Sequence, residues 1–377
     1  MNDTNDILFK SSKIGNFQIS NALVVAPMTR VSGLKDGSVG PLMQDYYANF
    51  AKGGFGLIIS EGLYPDTLYS QCYQMQPGLA TEIHAKSWRP VVDAVHKQGS
   101  LFVAQIMHAG ALAQNIRAGD KNISPSAVKP KGQQMSFYYG NGDYSTPEAM
   151  TEDDIKDVVA HFASSALLAK SAGFDGVEIH GANGYLLDQF LTRHTNKRDD
   201  QYGGSIENRL RIHREIIEAM RDAVGEDFII GIRFSQAKVN DATHKWVEGV
   251  SFAEEVFKII GMCQIDYIHT TEPVLSESAF DKGLSLAAIA KKYSGLPVIA
   301  NGGINAPTEA RQALENGHGD LIALGKIALS NQDWPKRAMS SENIQDFDFS
   351  MLMPIANLEN GSTFLSRKLE PTYSRSA

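Results

Sequence analysis

The feature that most constrains this chain is a recurring series of short apolar and β-branched runs separated by stretches with helical spacing. The runs are Ala22 to Pro27 (ALVVAP), Gly56 to Glu61 (GLIISE), Leu101 to Ile106 (LFVAQI) and Gly176 to His180 (GVEIH). Ile229 to Phe234 (IIGIRF), Asp266 to His269 (DYIH), Pro297 to Asn301 (PVIAN) and Asp320 to Leu324 (DLIAL) follow. A strand that reads as continuously apolar is buried on both faces, which is the signature of a parallel sheet covered by crossover helices. Eight such units predict a closed (β/α)8 TIM barrel rather than an open doubly wound sheet. The intervening segments agree. Thr151 stands three residues before Asp154 as in a capping box, and Ile155, Val158, Val159, Phe162, Ala166 and Ala169 keep helical spacing up to Gly173. Ser205 is placed to cap a helix through Ile206, Leu210, Ile216, Ile217 and Met220, and Asn305 with Pro307 to open one through Leu314.

The chain has 377 residues, whereas a barrel needs roughly 250. Residues 1–377 are therefore read as one domain with insertions, the largest being Ala109 to Met150, a Gly-, Ser-, Pro- and Tyr-rich segment expected to cap the C-terminal mouth. Its aromatic residues Phe137, Tyr138 and Tyr139 are candidates to roof a site, as are His244 and Trp246 within Gln236 to Gly249. Lys and Arg number 35 against 43 Asp and Glu, a formal charge of -8, which offers no general attraction to nucleic acid or anionic membrane. No run approaches the roughly 18 apolar residues of a membrane span, and MNDTNDILFK lacks the pattern of a secretion signal, so a cytoplasmic protein is expected. Cys72 and Cys263 lie outside any metal-ligand or disulfide spacing and are expected to be buried thiols; no metal site is predicted.

Barrel enzymes carry function where the strands exit at their C-terminal ends. After the seventh run stands Asn301-Gly302-Gly303 and after the eighth Gly325-Lys326. These are the two exits at which barrels bind phosphate through backbone N–H groups, with Lys326 adding a point charge. On the fifth strand alternation puts Ile229, Gly231 and Arg233 on one face, with Ile230, Ile232 and Phe234 toward the helices, so Arg233 points into the barrel. An inward guanidinium is either half of an ion pair with Glu178 or a fixed charge serving a ligand, and the inward amide of Gln105 has the same two readings. The fourth exit, Glu178-Ile179-His180-Gly181-Ala182-Asn183-Gly184-Tyr185, crowds three hydrogen-bond donors into six residues.

At these residues the sequence resembles the old yellow enzyme family of FMN-dependent NADH:flavin oxidoreductases and ene-reductases. The resemblance is carried by DGVEIHGANGYLLDQFLTRHTNKRDDQYGGSIENR (Asp175 to Arg209), APMTR (Ala26 to Arg30), QIMHAG (Gln105 to Gly110), GIRFS (Gly231 to Ser235) and the two Gly-rich exits, all in family order. It implies FMN across the barrel mouth, held along Pro27, Met28 and Thr29, with Thr29 at the flavin O4, Gly62 beside the ring, Gln105 at its pyrimidine edge and Arg233 near N1 and O2. Gly302, Gly303, Gly325 and Lys326 would take the phosphate. His180 and Asn183 match the pair that grips the substrate oxygen, and Tyr185 matches the proton donor. NADH or NADPH would be the reductant and an activated alkene, an α,β-unsaturated carbonyl or nitro compound, the substrate.

Several positions depart from or complicate the pattern, among them Ala111, which stands where a basic residue is frequent in the family. Lys326 stands where the family usually has Arg. Thr29 occupies a position that is Cys in one subgroup, while His108-Ala109-Gly110 looks like that same subgroup. Some relatives send a C-terminal Arg into a neighbouring subunit, a role Arg375 would fill in a homo-oligomer. Two other readings stand beside the resemblance: a flavin-free, phosphate-binding barrel aldolase or isomerase using His180 and Glu178 as acid and base, and a non-catalytic flavin redox sensor.

Overall fold

The computed structural model describes residues 6–114 and 121–369; Arg375 lies outside the described residues. Eight parallel strands close a barrel: β1 Leu23–Val25, β2 Leu57–Ile59, β3 Leu101–Ile106, β4 Gly176–His180, β5 Ile229–Ser235, β6 Tyr267–Thr271, β7 Val298–Asn301 and β8 Leu321–Leu324, with β8 pairing back onto β1. Each of the eight apolar runs coincides with one of these strands, β5 and β6 extending one and two residues past their runs, so the expected TIM barrel is the observed fold. The helix Glu152–Ala172 begins at the Thr151–Asp154 capping box and ends at Gly173, whose φ of +96° suits a residue without a Cβ. One expected helix is broken. Ser205 caps only the turn Ile206–Arg209, and a separate helix, Arg211–Val224, starts after Leu210.

Alternation along β5 is as expected. Ile230, Ile232 and Phe234 join the large core between sheet and helices, while Ile229 faces inward with Val24, Leu57, Val103, Tyr267, Ile299 and Leu321. Gly231 is required here, because a Cβ at that position would lie 2.1 Å from the Tyr267 ring. Ile14 and Ile19, from the hairpin Ser12–Ile14 and Phe17–Ile19, pack into the same interior cluster and plug the N-terminal end. The lower barrel is thus dry and filled, and polar inward residues occur only toward the exits. Register then sets their neighbours: Gln105 pairs with Glu178, His180 with Arg233, Arg233 with His269, and Thr271 with Asn301.

The segment 109–150 contains the short turns Gly110–Leu112 and Ser136–Tyr138 and two short strands, Ile123–Ser124 and Glu148–Ala149, which pair with each other. It reaches the loop after β5 through Lys131, whose ammonium is 3.0 Å from Asp241 and whose carbonyl accepts from Asn240 at 3.1 Å. Cys72 is buried as expected, but Cys263 is only half-buried, because its turn lies on the surface after the helix Val250–Gly261. Among the described residues no helix is long and apolar enough to cross a membrane, and no cluster of His, Cys, Asp and Glu is placed to hold a metal.

Candidate active site

One cavity of about 460 Å3 opens at the C-terminal mouth, within the roughly 300–1,000 Å3 range of cofactor pockets. Every residue that the family resemblance assigns to FMN or substrate lines it. Pro27, Met28 and Thr29 come from beyond β1, Gly62 from beyond β2, Gln105 from β3, and His180, Asn183 and Tyr185 from the end of β4 and its loop. Arg233 rises from β5, and Gly302, Gly303, Gly325 and Lys326 form the far wall beyond β7 and β8. Gly62 packs so closely on Met107 that a Cβ would lie 2.7 Å from its sulfur. Gly303 has φ +62°, and Lys326, exposed, opens the short helix Lys326–Ser330.

The sequence left Arg233 and Glu178 with two readings, and the structure separates them. Glu178 is fully buried and accepts from the Gln105 amide at 2.8 Å, the Tyr267 hydroxyl at 2.9 Å and His269 Nδ1 at 2.9 Å. Burial pushes its carboxyl up, but His269, Arg233 and Gln105 more than offset this and hold it below the usual carboxylate range. Saturated in this way and set off the cavity lining, Glu178 is not an acid or base for a substrate, which removes the aldolase-type reading. Nor is it Arg233's direct partner. Arg233 donates from Nη2 to Asn301 Oδ1 at 3.2 Å, and its buried Nε has no protein partner. Asn301 itself is held by Thr271 Oγ1 at 2.8 Å and by its own donation to the Ala323 carbonyl at 2.8 Å.

His180 is buried, and desolvation, followed by the nearby Arg233 guanidinium and the neighbouring His269, keeps its pKa well below the usual value. It is therefore neutral. Its Nδ1 accepts from the Ala182 N–H at 3.4 Å, so the ring proton resides on Nε2 and that nitrogen is a donor. Asn183 adopts φ +62°, a conformation Asn tolerates, and is pinned by its N–H to Ser235 Oγ at 2.8 Å and by its carbonyl, which accepts from Val239 N at 3.0 Å. The Tyr185 ring meets His180 edge-on, with centroids 4.9 Å apart.

A buried framework holds this loop. Asp188 takes the Gly184 N–H at 2.6 Å and is paired with Lys238 at 2.5 Å, both groups being buried. Gln189 accepts from Ala111 N at 3.0 Å and donates to the Gly184 carbonyl at 2.7 Å, tying the β3 and β4 exits together.

Sequence reasoning missed several cavity residues. Tyr73, from the loop after β2, has its hydroxyl 2.5 Å from that of Tyr185. Thr271 and Glu272 bring in the β6 exit, which carried no Gly-rich signal. Glu272 is a carboxyl pushed up to about 7 by burial although it accepts from Leu286 N and Ala287 N at the start of the helix Leu286–Ser294. Of the expected roof, Tyr138 reaches the cavity, while Phe137 packs on Phe349. Trp246 is buried against Phe252 and Phe257 rather than at the mouth, where Val239 stands instead.

The profile of the NADH:flavin oxidoreductase / NADH oxidase family matches residues 7–345. An NADH oxidase of Thermoanaerobacter brockii is 35% identical over 344 residues; the match covers 88% of this chain and 50% of that protein, so the chain spans half that relative's length. A putative 12-oxophytodienoate reductase 11 of Oryza sativa subsp. japonica is 35% identical over 339 residues, covering 86% of this chain and 88% of the relative. Among solved structures, morphinone reductase in complex with tetrahydroNAD superposes with a TM-score of 0.81 at 30% identity, over 92% of this chain and 93% of that one. An old yellow enzyme homologue from Zymomonas mobilis gives a TM-score of 0.81 at 28% identity, over 90% and 94%.

Barrel, mouth and matches together define a flavin-dependent oxidoreductase. The chain belongs to the NADH:flavin oxidoreductase / NADH oxidase family, that of the old yellow enzymes. The family is one of FMN-dependent oxidoreductases that draw on a nicotinamide reductant.

Proposed function

We propose that the cavity holds FMN with its phosphate against Gly302, Gly303, Gly325 and Lys326 and its ring between Pro27–Thr29 and Gln105, Arg233 lying at the N1 and O2 edge. The donor set fits this group. Glycines at two exits leave backbone room for an anion, Lys326 adds a charge, and the buried, unpartnered Nε of Arg233 supplies a donor. FMN held there by Gly302, Gly303, Gly325, Lys326 and Arg233 would supply two-electron hydride chemistry between the reduced nicotinamide and the alkene β-carbon. Arg233 favours negative charge at the flavin edge, and its own position is fixed by Asn301.

The substrate's carbonyl or nitro oxygen is held by His180 and Asn183. A neutral His180 is suited to this, because it donates from Nε2 without offering a proton acidic enough to be lost to the oxygen. Tyr185 gives its phenolic proton to the α-carbon. The segment 109–150 caps the site through Tyr138, and the two unpaired cysteines fit a reducing, cytoplasmic setting.

The observation that carries this reading is the convergence of His180, Asn183, Tyr185 and Arg233 on one cavity whose opposite wall is Gly-rich. The test is the visible spectrum of the purified protein followed by turnover of enones, nitroalkenes and maleimides with NADH and NADPH. Flavin bands and alkene-dependent oxidation of the nicotinamide are expected. A flavoprotein that oxidises NAD(P)H at a rate no alkene changes would overturn the substrate assignment and return the sensor reading.

A further inference from the structure

We infer that Tyr73 is the positioning residue for proton delivery by Tyr185: its hydroxyl donates to the Tyr185 oxygen as that phenol loses its proton, and then replaces the proton. The inference rests on the reading of Tyr185 as the acid.

The two hydroxyls are 2.5 Å apart, and both side chains are buried. Tyr185 sits in a cluster with Val31, Tyr73, Met107, Leu112 and Tyr144, so a phenolate formed there is poorly solvated. The ionisable neighbours decide what offsets this. Cys72, Tyr138 and Tyr144 face Tyr185 and oppose a negative charge on it, as does burial itself, while the hydrogen bond from Tyr73 favours that charge. Either hydroxyl can donate across this pair, and the arrangement that leaves the Tyr185 proton free for the α-carbon is the one in which Tyr73 donates to the Tyr185 oxygen.

Tyr73 is also held as a positioned donor has to be. Gln76, buried, accepts from Cys72 N at 2.7 Å and Tyr73 N at 3.2 Å, and anchors the turn by donating to the Gly62 carbonyl at 2.7 Å. The Tyr73 ring packs on Tyr138, with centroids 4.7 Å apart. Its side chain lines the same cavity as His180 and Tyr185.

The step balances without a further reactant. The Tyr185 O–H bond breaks while the electron pair of the enolate-like intermediate forms the new C–H bond at the α-carbon. The Tyr73 O–H bond then breaks as the Tyr185 O–H bond re-forms, and Tyr73 recovers its proton from water.

Tyr73→Phe keeps the ring packing on Tyr138 and removes only the donor. In stopped flow of the FMN-loaded enzyme, oxidation by an enone is expected to slow by about 10- to 100-fold, the scale of a hydrogen bond to a charged group, with flavin reduction by NAD(P)H unchanged. In a Tyr185→Phe background the same substitution is expected to change nothing further. Proton inventory in mixed H2O and D2O is expected to curve in the wild type and become linear in Tyr73→Phe. A proton resonance downfield of the amides in the oxidised holoenzyme is expected to vanish in either Phe variant. Equal slowing in both backgrounds would make Tyr73 a packing residue, and a wild-type rate in Tyr73→Phe would remove its role. If Tyr185→Phe alone leaves enone reduction unaffected, the acid assignment falls instead, which separates the two failures.

Discussion

The cavity has two ends built in opposite ways. Beyond β7 and β8 the wall is glycine backbone flanked by uncharged side chains such as Asn301, Ile304 and Asn305, with one exposed lysine, Lys326, as its only charge among the described residues. Beyond β4 the wall is a braced loop: buried Tyr185 against buried Tyr73, the Asn183 backbone N–H on buried Ser235, and the loop as a whole on buried Asp188 and Lys238. A phosphate needs N–H groups and a positive charge, both of which backbone and a solvated side chain supply. Moving a proton to one carbon needs a donor held within a fraction of an ångström, and only packed side chains do that. Substitutions should therefore act locally at the first end and through several loops at the second.

The sharpest break in this contrast is at Tyr185. Tyr185→Phe keeps the ring and removes the acid, so enone reduction should slow by roughly 10²- to 10⁴-fold while flavin reduction by NAD(P)H changes little. Burial raises the phenol's pKa well above its usual value, so the acid form persists with rising pH. The oxidative half-reaction should accordingly show no loss from this group between about pH 6 and pH 9. A wild-type oxidative rate in the Phe variant assigns the proton to water or another residue.

How legible these two ends were differs for physical reasons. The Gly pairs and the His180, Asn183 and Tyr185 cluster are contiguous in the chain, so spacing alone gathered them, and alternation turned Arg233 inward. Alternation gives facing but not neighbours. Glu178 and Arg233 were read as a candidate ion pair, yet closure of the barrel brings Tyr267 and His269 onto Glu178 and leaves Asn301 to Arg233. Tyr73 was invisible because it comes from an irregular loop 112 residues before Tyr185, where no periodicity marks what a side chain will meet.

The framework beneath the β4 loop is the next place to test. Lys238→Met would strand the Asp188 carboxylate in a buried site, leaving it the Gly184 N–H at 2.6 Å and the Thr192 hydroxyl at 3.1 Å. Breaking a buried pair by removing one partner costs about 3–5 kcal/mol, so the denaturation midpoint should fall and kcat/KM for enones should drop with it. Asp188→Asn added to Lys238→Met should recover most of the stability, because the uncompensated charge is gone. Denaturant titration of the single and double variants checks this, and an unchanged midpoint in Lys238→Met would show that the pair does not brace the loop.

Lys326 marks the mild end of the comparison. It adds a single solvated charge to a site otherwise made of glycine backbone and uncharged side chains, and it lacks the planar fork with which an Arg grips two phosphate oxygens at once. Lys326→Met should weaken FMN binding by about 1.5–3 kcal/mol, the scale of a charge-assisted hydrogen bond, with the spectrum of bound flavin and the enone half-reaction of the loaded enzyme unchanged. Lys326→Arg should hold FMN at least as tightly, since the fork gains a second oxygen without losing charge. Fluorescence titration of the apoprotein with FMN distinguishes these outcomes. Unaltered affinity in the Met variant would mean that the glycine backbone alone carries the phosphate, and altered alkene kinetics in the loaded variant would mean that the two ends are not independent.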